Sequence, residues 1–391
     1  MPTPNRNTVL DLIERNAGIL RLAPTFVRRF YMDGGRLAGT KPGGTYNKKD
    51  GLWKPERWIA STTTAVNVHP IKNEGLSKID TRAPKSRGLQ PARSRANSNL
   101  TLREALQVAG EELLGKSRNA AQPNEFRVLI KILDGHTPIV FHFHADDAAV
   151  RKNPKAFKGH RFGKDEAYFF LDRPKSRCPY THVGLNPGVG PKELLKAIQQ
   201  GSEQTLELSP SFYQKWNEGF YVPAGVVHRP GSALTLEIQQ PSDVYTLLED
   251  RMDDTRFSPR QMHPGFKTLK ESFKHIDFKA SAAKDILDKY RLIPSPTSRR
   301  KVRGATEDWI FPPDICPKFS GKRLRVSTKA VTTQQDCYAV FVWKGKGTFG
   351  QHTIQPGDEF FVTANAAKAG VSIKAAAGQP IELFTFFAAP V

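Results

Sequence analysis

Two histidines two residues apart, His142 and His144, sit in the apolar run TPIVFHFH of this 391-residue chain, and Glu166 opens a second apolar run, EAYFF. Side chains alternate faces along an extended strand, so His142 and His144 point one way while Phe141 and Phe143 point the other. Both imidazoles can therefore reach one point. A third, His228, follows a Pro-Ala-Gly turn in FYVPAGVVHRPG and precedes the strand-like SALTLEIQQ. Neutral imidazole and carboxylate suit Zn, Fe, Mn or Ni, so His142, His144, Glu166 and His228 converging inside a barrel would hold one divalent metal. A bare His-x-His is also a common accident of composition, and it is the later Glu and His that give this one meaning. In SALTLEIQQ, Thr235, Glu237 and Gln239 share a face. If that face is the interior, Glu237 is a carboxylate beside the metal and a candidate general base; if not, it is a glutamate on a solvated strand.

Holding these residues together requires strands, and the flanking text supplies them. EFRVLIKILD, residues 125–134, has the β-branched and aromatic content of a buried strand. Before it, Thr101 and Glu104 form a capping-box pattern, and Leu102, Leu106, Ala109 and Leu113 recur at helical spacing up to Gly115. A shorter helix is expected over residues 9–16, another in PKELLKAIQQG with Pro191 in its first turn, and a third in AAKDILDKY. Residues 145–163 read as a loop rich in Lys and Arg, able to hold a phosphate by charge-assisted hydrogen bonds. IPSPTSRRK then reads as a linker, and from about residue 308 the composition turns strongly to β, with Gly turns such as Lys-Gly-Lys-Gly. The expected division is a larger unit over residues 1–298 carrying the metal and a smaller β unit over 299–391. The smaller unit has His352 but no His-x-His and is expected to hold no metal.

Composition narrows the function classes. No apolar run approaches the roughly eighteen residues a membrane span needs, and the first residues, MPTPNRNTVLDLIERN, lack a signal-peptide core, so a cytoplasmic protein without membrane partners is expected. Cys178, Cys316 and Cys337 are widely spaced and odd in number, which excludes a disulfide framework. The net charge of +21 fits an anionic ligand or solubility. Lys and Arg are spread along the chain without a recognisable motif, which argues against nucleic acid. The densest basic stretch, residues 81–99, has Pro, Ser and Gly content that reads as a loop.

The ordered segments FHFHADD, GKDEAYF, VPAGVVH and EIQQPSD resemble the cupin superfamily and, more narrowly, its type I mannose-6-phosphate isomerases. There a V-Q-V-H-P-D-D strand is followed by G-K-T-E, V-P-A-G-T-x-H and E-x-Q-Q-x-S-D. The resemblance runs over about residues 23–278 and implies an all-β fold of two jelly-roll barrels with peripheral helices. It implies a metal-dependent aldose-ketose isomerase of a sugar or sugar phosphate, working as a monomer or homodimer, with zinc as first choice of metal and iron or manganese as alternatives. Two positions depart from the pattern. His142 stands where the relatives have Gln, which brings the site nearer to ordinary three-His-one-Glu cupins. Leu247 stands where they carry an Arg regarded as catalytic, so Arg251 or Arg229 would have to supply that charge. The departures keep two alternatives open, a cupin dioxygenase and a sugar-binding cupin without catalysis.

Overall fold

The computed structural model describes residues 5–32, 55–67, 70–81, 99–135, 137–172, 179–252, 255–298 and 304–391. The basic stretch expected as a loop lies almost wholly outside the described residues, as does Cys178. Among the described residues no helix is long and apolar enough to cross a membrane.

Two sheets enclose the segments that carry the histidines. A seven-stranded antiparallel sheet runs in the order Arg291–Leu292, Gly219–Val222, Glu166–Phe170, Thr235–Gln239, Leu129–Leu133, Glu56–Ile59 and Thr25–Val27. Facing it is a five-stranded sheet of Thr246–Leu247, His142–Phe143, His228–Arg229, Tyr180–Val183 and Ser211–Tyr213. Strand alternation divides the larger sheet cleanly. Ile59, Ile130, Ile132, Ala167, Phe169, Leu236 and Ile238 enter one apolar core on its outer face, whereas Glu56, Lys131, Glu166, Tyr168 and Glu237 turn to the barrel interior. The smaller sheet sends Phe141, Phe143 and Val227 outward, where they pack with Leu194 of the helix Pro191–Gln200.

A second pair of sheets forms the other barrel. Its eight-stranded sheet takes Ile19–Ala23 from the N-terminal end of the chain, paired antiparallel with Glu359–Val362 so that Ile19 faces Val362. Strands from both sides of residue 298 therefore belong to one sheet. With the four-stranded sheet it encloses Val340, Val342, Phe349, Phe360 and other apolar side chains. His352 lies among them, with Nε2 2.9 Å from the Ile19 carbonyl oxygen and its ring against Phe360. The two barrels share the apolar core, since Phe311, Phe341, Phe361 and Phe384 join the outward side chains of the seven-stranded sheet there.

The helices differ from the sequence reading in detail. Leu102–Leu114 has the expected box, with Glu104 N donating to Thr101 Oγ1 (3.2 Å) and Thr101 N to Glu104 Oε2 (2.8 Å), but it kinks at Ala109, whose φ is −141°. AAKDILDKY is helical only over Ile286–Tyr290, after a turn that separates it from the short helix Phe278–Ser281. The basic loop contains a six-residue helix, Asp147–Lys152, begun by Asp146 accepting from Ala149 N at 2.7 Å. The strand expected over 125–134 is shorter, Leu129–Leu133.

Candidate metal centre

His142 and His228 are register partners on adjacent strands of the small sheet, which puts their rings 4.1 Å apart between centroids. His144, two residues on from His142, returns to the same side, and Glu166 projects from the opposing sheet. One donor atom from each of the four falls within 4.8 Å of the others, and all four residues are buried. Nε2 of His228 lies 2.8 Å from Glu166 Oε1, and Nε2 of His144 lies 3.2 Å from Oε2.

The backbone decides which ring nitrogens face inward. Nδ1 of His142, His144 and His228 sits 2.7, 2.7 and 2.9 Å from the carbonyl oxygens of Val140, Val244 and Val226. A carbonyl only accepts, so each Nδ1 carries the hydrogen and each Nε2 presents a lone pair to the centre. Such a second hydrogen bond commonly orients a metal-ligating histidine. The result is acceptor against acceptor. His228 Nε2, facing Glu166 Oε1, is buried without a hydrogen-bond donor, a costly arrangement that a cation at their focus would resolve. The donor set, three imidazoles and a carboxylate, fits a divalent transition ion.

Electrostatics agree with neutral rings at His142 and His144. Burial, reinforced by the Lys164 ammonium, holds His144 down at about 3, and burial with the neighbouring rings holds His142 well below its ordinary value. Burial works to raise Glu166, but Lys164, His144 and His228 outweigh it and keep its carboxyl well below the usual range. Lys164 Nζ stands 2.6 Å from Glu166 Oε2, 3.1 Å from His144 Nε2 and 3.5 Å from Glu237 Oε1. Tyr168 donates its hydroxyl to Glu166 Oε1.

Glu237 does face the interior. It pairs with Lys131 at 3.3 Å, and burial pushes its carboxyl up to about 7 against the pull of Lys131 and Lys164. Beyond Lys131 the polar chain continues. Glu56 lies 3.7 Å from Lys131 Nζ, and the Arg29 guanidinium bridges Glu56 (2.8 Å) and Asp243 (2.8 Å). Burial, which raises Asp243, loses to Arg29 and Lys131, and that carboxyl is held at about 2. Sequence reasoning did not assign roles to Arg29, Glu56 or Lys131. The usable signal was a lone Lys131 in LIKIL, a strand whose other residues are all apolar.

The structure does not bring Arg251 to the centre. It is half exposed on a two-residue strand, beside Asp250 at 3.4 Å, and does not line the metal cavity. Arg229 reaches Glu249 at 3.1 Å instead of the cavity. Leu247 does line it, buried, as the register partner of His142. The cavity wall is completed by the phenols of Tyr31, Tyr168 and Tyr245.

A two-barrel cupin fold with a buried three-histidine, one-glutamate centre is thus the class that geometry defines. Solved structures resemble the chain over nearly its whole length. The mannose 6-phosphate isomerase from Bacillus subtilis superposes with a TM-score of 0.66 at 20% identity, covering 94% of this chain and 99% of that one. A putative mannosephosphate isomerase from Archaeoglobus fulgidus gives 0.64 at 14% identity, covering 95% and 98%. A zinc-bound mannose 6-phosphate isomerase gives 0.63 at 12%, covering 95% and 100%. No family model and no curated protein matches the sequence. The chain has the fold of these isomerases.

Proposed function

We propose that the protein is a metal-dependent aldose-ketose isomerase acting on a sugar or sugar phosphate, with mannose 6-phosphate and fructose 6-phosphate as the first pair to test. The observation that carries this reading is the buried focus of His142, His144, Glu166 and His228 with Glu237, near pH 7 in its titration, on the neighbouring strand. Those four side chains would hold the ion, with zinc favoured by the zinc-bound relative of like fold. Held there, a divalent ion would supply Lewis-acid polarisation of sugar oxygens.

Aldose-ketose exchange moves a proton between C1 and C2. Glu237 has the position and basicity to take it from one carbon and return it to the other. The Lys164 ammonium, kept charged because Glu166 and Glu237 outweigh the effect of its burial, supplies positive charge opposite the developing enediolate. Lys131 holds Glu237 in place from behind. Leu247 supplies no charge, so in this reading Lys164 carries the electrostatic work that an arginine at that position would share. The free space at the centre is about 20 Å³, on the order of one water. A hexose therefore enters only if side chains that line this space move.

The test is an isomerisation assay on metal-analysed protein with mannose 6-phosphate, fructose 6-phosphate and the free sugars. Glu237→Gln is expected to lower kcat by about 10²- to 10⁴-fold, the usual share of acid–base catalysis, with metal content unchanged. Wild-type kcat in that variant would remove Glu237 from the chemistry. A second reading, oxygen chemistry at iron, draws on His142 and Leu247 together. Iron in the purified protein, with no turnover of any of these sugars, would favour it.

A further inference from the structure

Next to the barrel mouth lies a larger cavity, about 440 Å³, between the Thr62–Thr64 segment, the start of the helix Leu102–Leu114 and the turn that follows the helix Asp147–Lys152. Its charged lining is Arg103, Arg127, Lys158 and Arg161 against a single acid, Glu125. The cations are held in place. Arg127 donates to Glu125 Oε2 at 2.7 Å, Arg161 pairs with Oε1 of the same carboxylate, and both guanidinium groups lie against the Phe162 ring, at 5.2 and 5.3 Å from its centroid. Arg103 donates to Thr64 Oγ1 at 3.0 Å. Among the described residues neither Arg103 nor Lys158 has a carboxylate in ion-pair contact. Partial burial, with the nearby Arg260, lowers the Lys158 ammonium against the pull of Asp243.

We propose that this cavity is an anion site for the phosphate group of a small phosphorylated molecule. Two guanidinium groups fixed by a shared acid, together with an arginine and a lysine lacking one, give fork-shaped and point-charge donors of the kind that recognise phosphate oxygens. Thr64 adds a hydroxyl. The volume falls in the range of small-molecule pockets and exceeds what a bare oxyanion fills. The site also communicates with the metal centre. Val66, Lys158 and His160 line both it and a narrow passage whose other wall, Asp243, Val244 and Tyr245, belongs to the metal cavity. A molecule entering the barrel by this passage would cross the cationic cavity, and a phosphate held there would sit on the approach. The site goes beyond the isomerase reading and does not depend on it, because none of its residues is a metal ligand.

The experiment titrates inorganic phosphate into metal-loaded protein and follows 31P line width, with sulfate as competitor. Saturable binding is expected, reversed by sulfate and weakened at least tenfold in the double variant Arg103→Ala/Lys158→Ala with metal content unchanged. Lys344→Ala/Lys346→Ala, in the other barrel, is expected to leave it intact and so separates a site from net charge. His228→Ala, which removes a ligand of the metal, is expected to leave phosphate binding in place. The proposal is overturned by absent saturation, by unchanged affinity in the first double variant, or by an equal loss in the second. Binding that disappears in His228→Ala but survives in Arg103→Ala/Lys158→Ala would put phosphate at the metal and also overturn it.

Discussion

At the scale of single residues, what makes the centre is the outer hydrogen bond of each ring. Val140, Val244 and Val226 fix the hydrogen on Nδ1 and turn Nε2 inward before any ion arrives, so little ordering is left for binding to do. His142→Gln replaces one imidazole by an amide oxygen, the group found there in the sequences this chain resembles. Loss of an outer-shell partner alone typically costs about 10- to 100-fold in metal affinity, and loss of an imidazole ligand should cost at least that. Competition against a chelator of known affinity should show weaker, still measurable retention in His142→Gln; an unchanged affinity would mean that His142 is not a ligand. The four donors were legible in the sequence because residue type and spacing alone determine their chemistry. Arg29 was not, since its partner Asp243 lies 214 positions further on and only folding reveals the pair.

At the scale of elements, the strands of the seven-stranded sheet are buried on both faces yet are not uniformly apolar. One face packs against the second barrel, and the other carries Lys131, Glu237, Glu56 and Glu166 into the centre. Alternation in SALTLEIQQ was therefore readable, while the identity of the wet face was not, because periodicity gives two faces without naming either. Boundaries suffered where tertiary packing overrode local preference, as at the Ala109 kink and in AAKDILDKY, which is helical only from Ile286. Arg29, in the segment after the strand Thr25–Val27, joins Glu56 to Asp243 with no exposed side-chain surface. Removing one partner of a buried charge network leaves the others unpaired. Arg29→Met should thus destabilise the fold by about 3–5 kcal/mol in urea unfolding. A loss under about 1 kcal/mol, the scale of surface ion pairs, would mean that the triad is not buried as described.

At the scale of the whole molecule, the barrels are tied by polar as well as apolar contacts. Arg57, on the outer face of the strand Glu56–Ile59, reaches Glu359 of the second barrel at 2.9 Å. Burial nonetheless pushes the Glu359 carboxyl up to about 7, since the guanidinium offsets only part of the loss of water. An unfolded glutamate titrates near about 4.3, so between that pH and about 7 the native state holds the extra proton. This contribution to stability is full at the acid end of the window and is lost as pH rises through it. Glu359→Gln removes the titration. The difference in Tm, wild type minus Glu359→Gln, should fall between pH 5 and pH 8; parallel curves would show that Glu359 is ionised throughout. The cross-barrel strand Ile19–Ala23 was invisible in sequence, because its partner strand lies more than three hundred residues later. The isomerase-like architecture was legible through the four ordered motifs.

The most direct test of the account is the metal content of purified wild-type protein beside His228→Ala, measured by mass spectrometry after dialysis. One equivalent of a divalent transition metal in the wild type, and little or none in the variant, is the predicted result. Equal occupancy in the two proteins, or a wild type that takes up no such metal when it is supplied, would contradict the assignment of His142, His144, Glu166 and His228 as a metal centre.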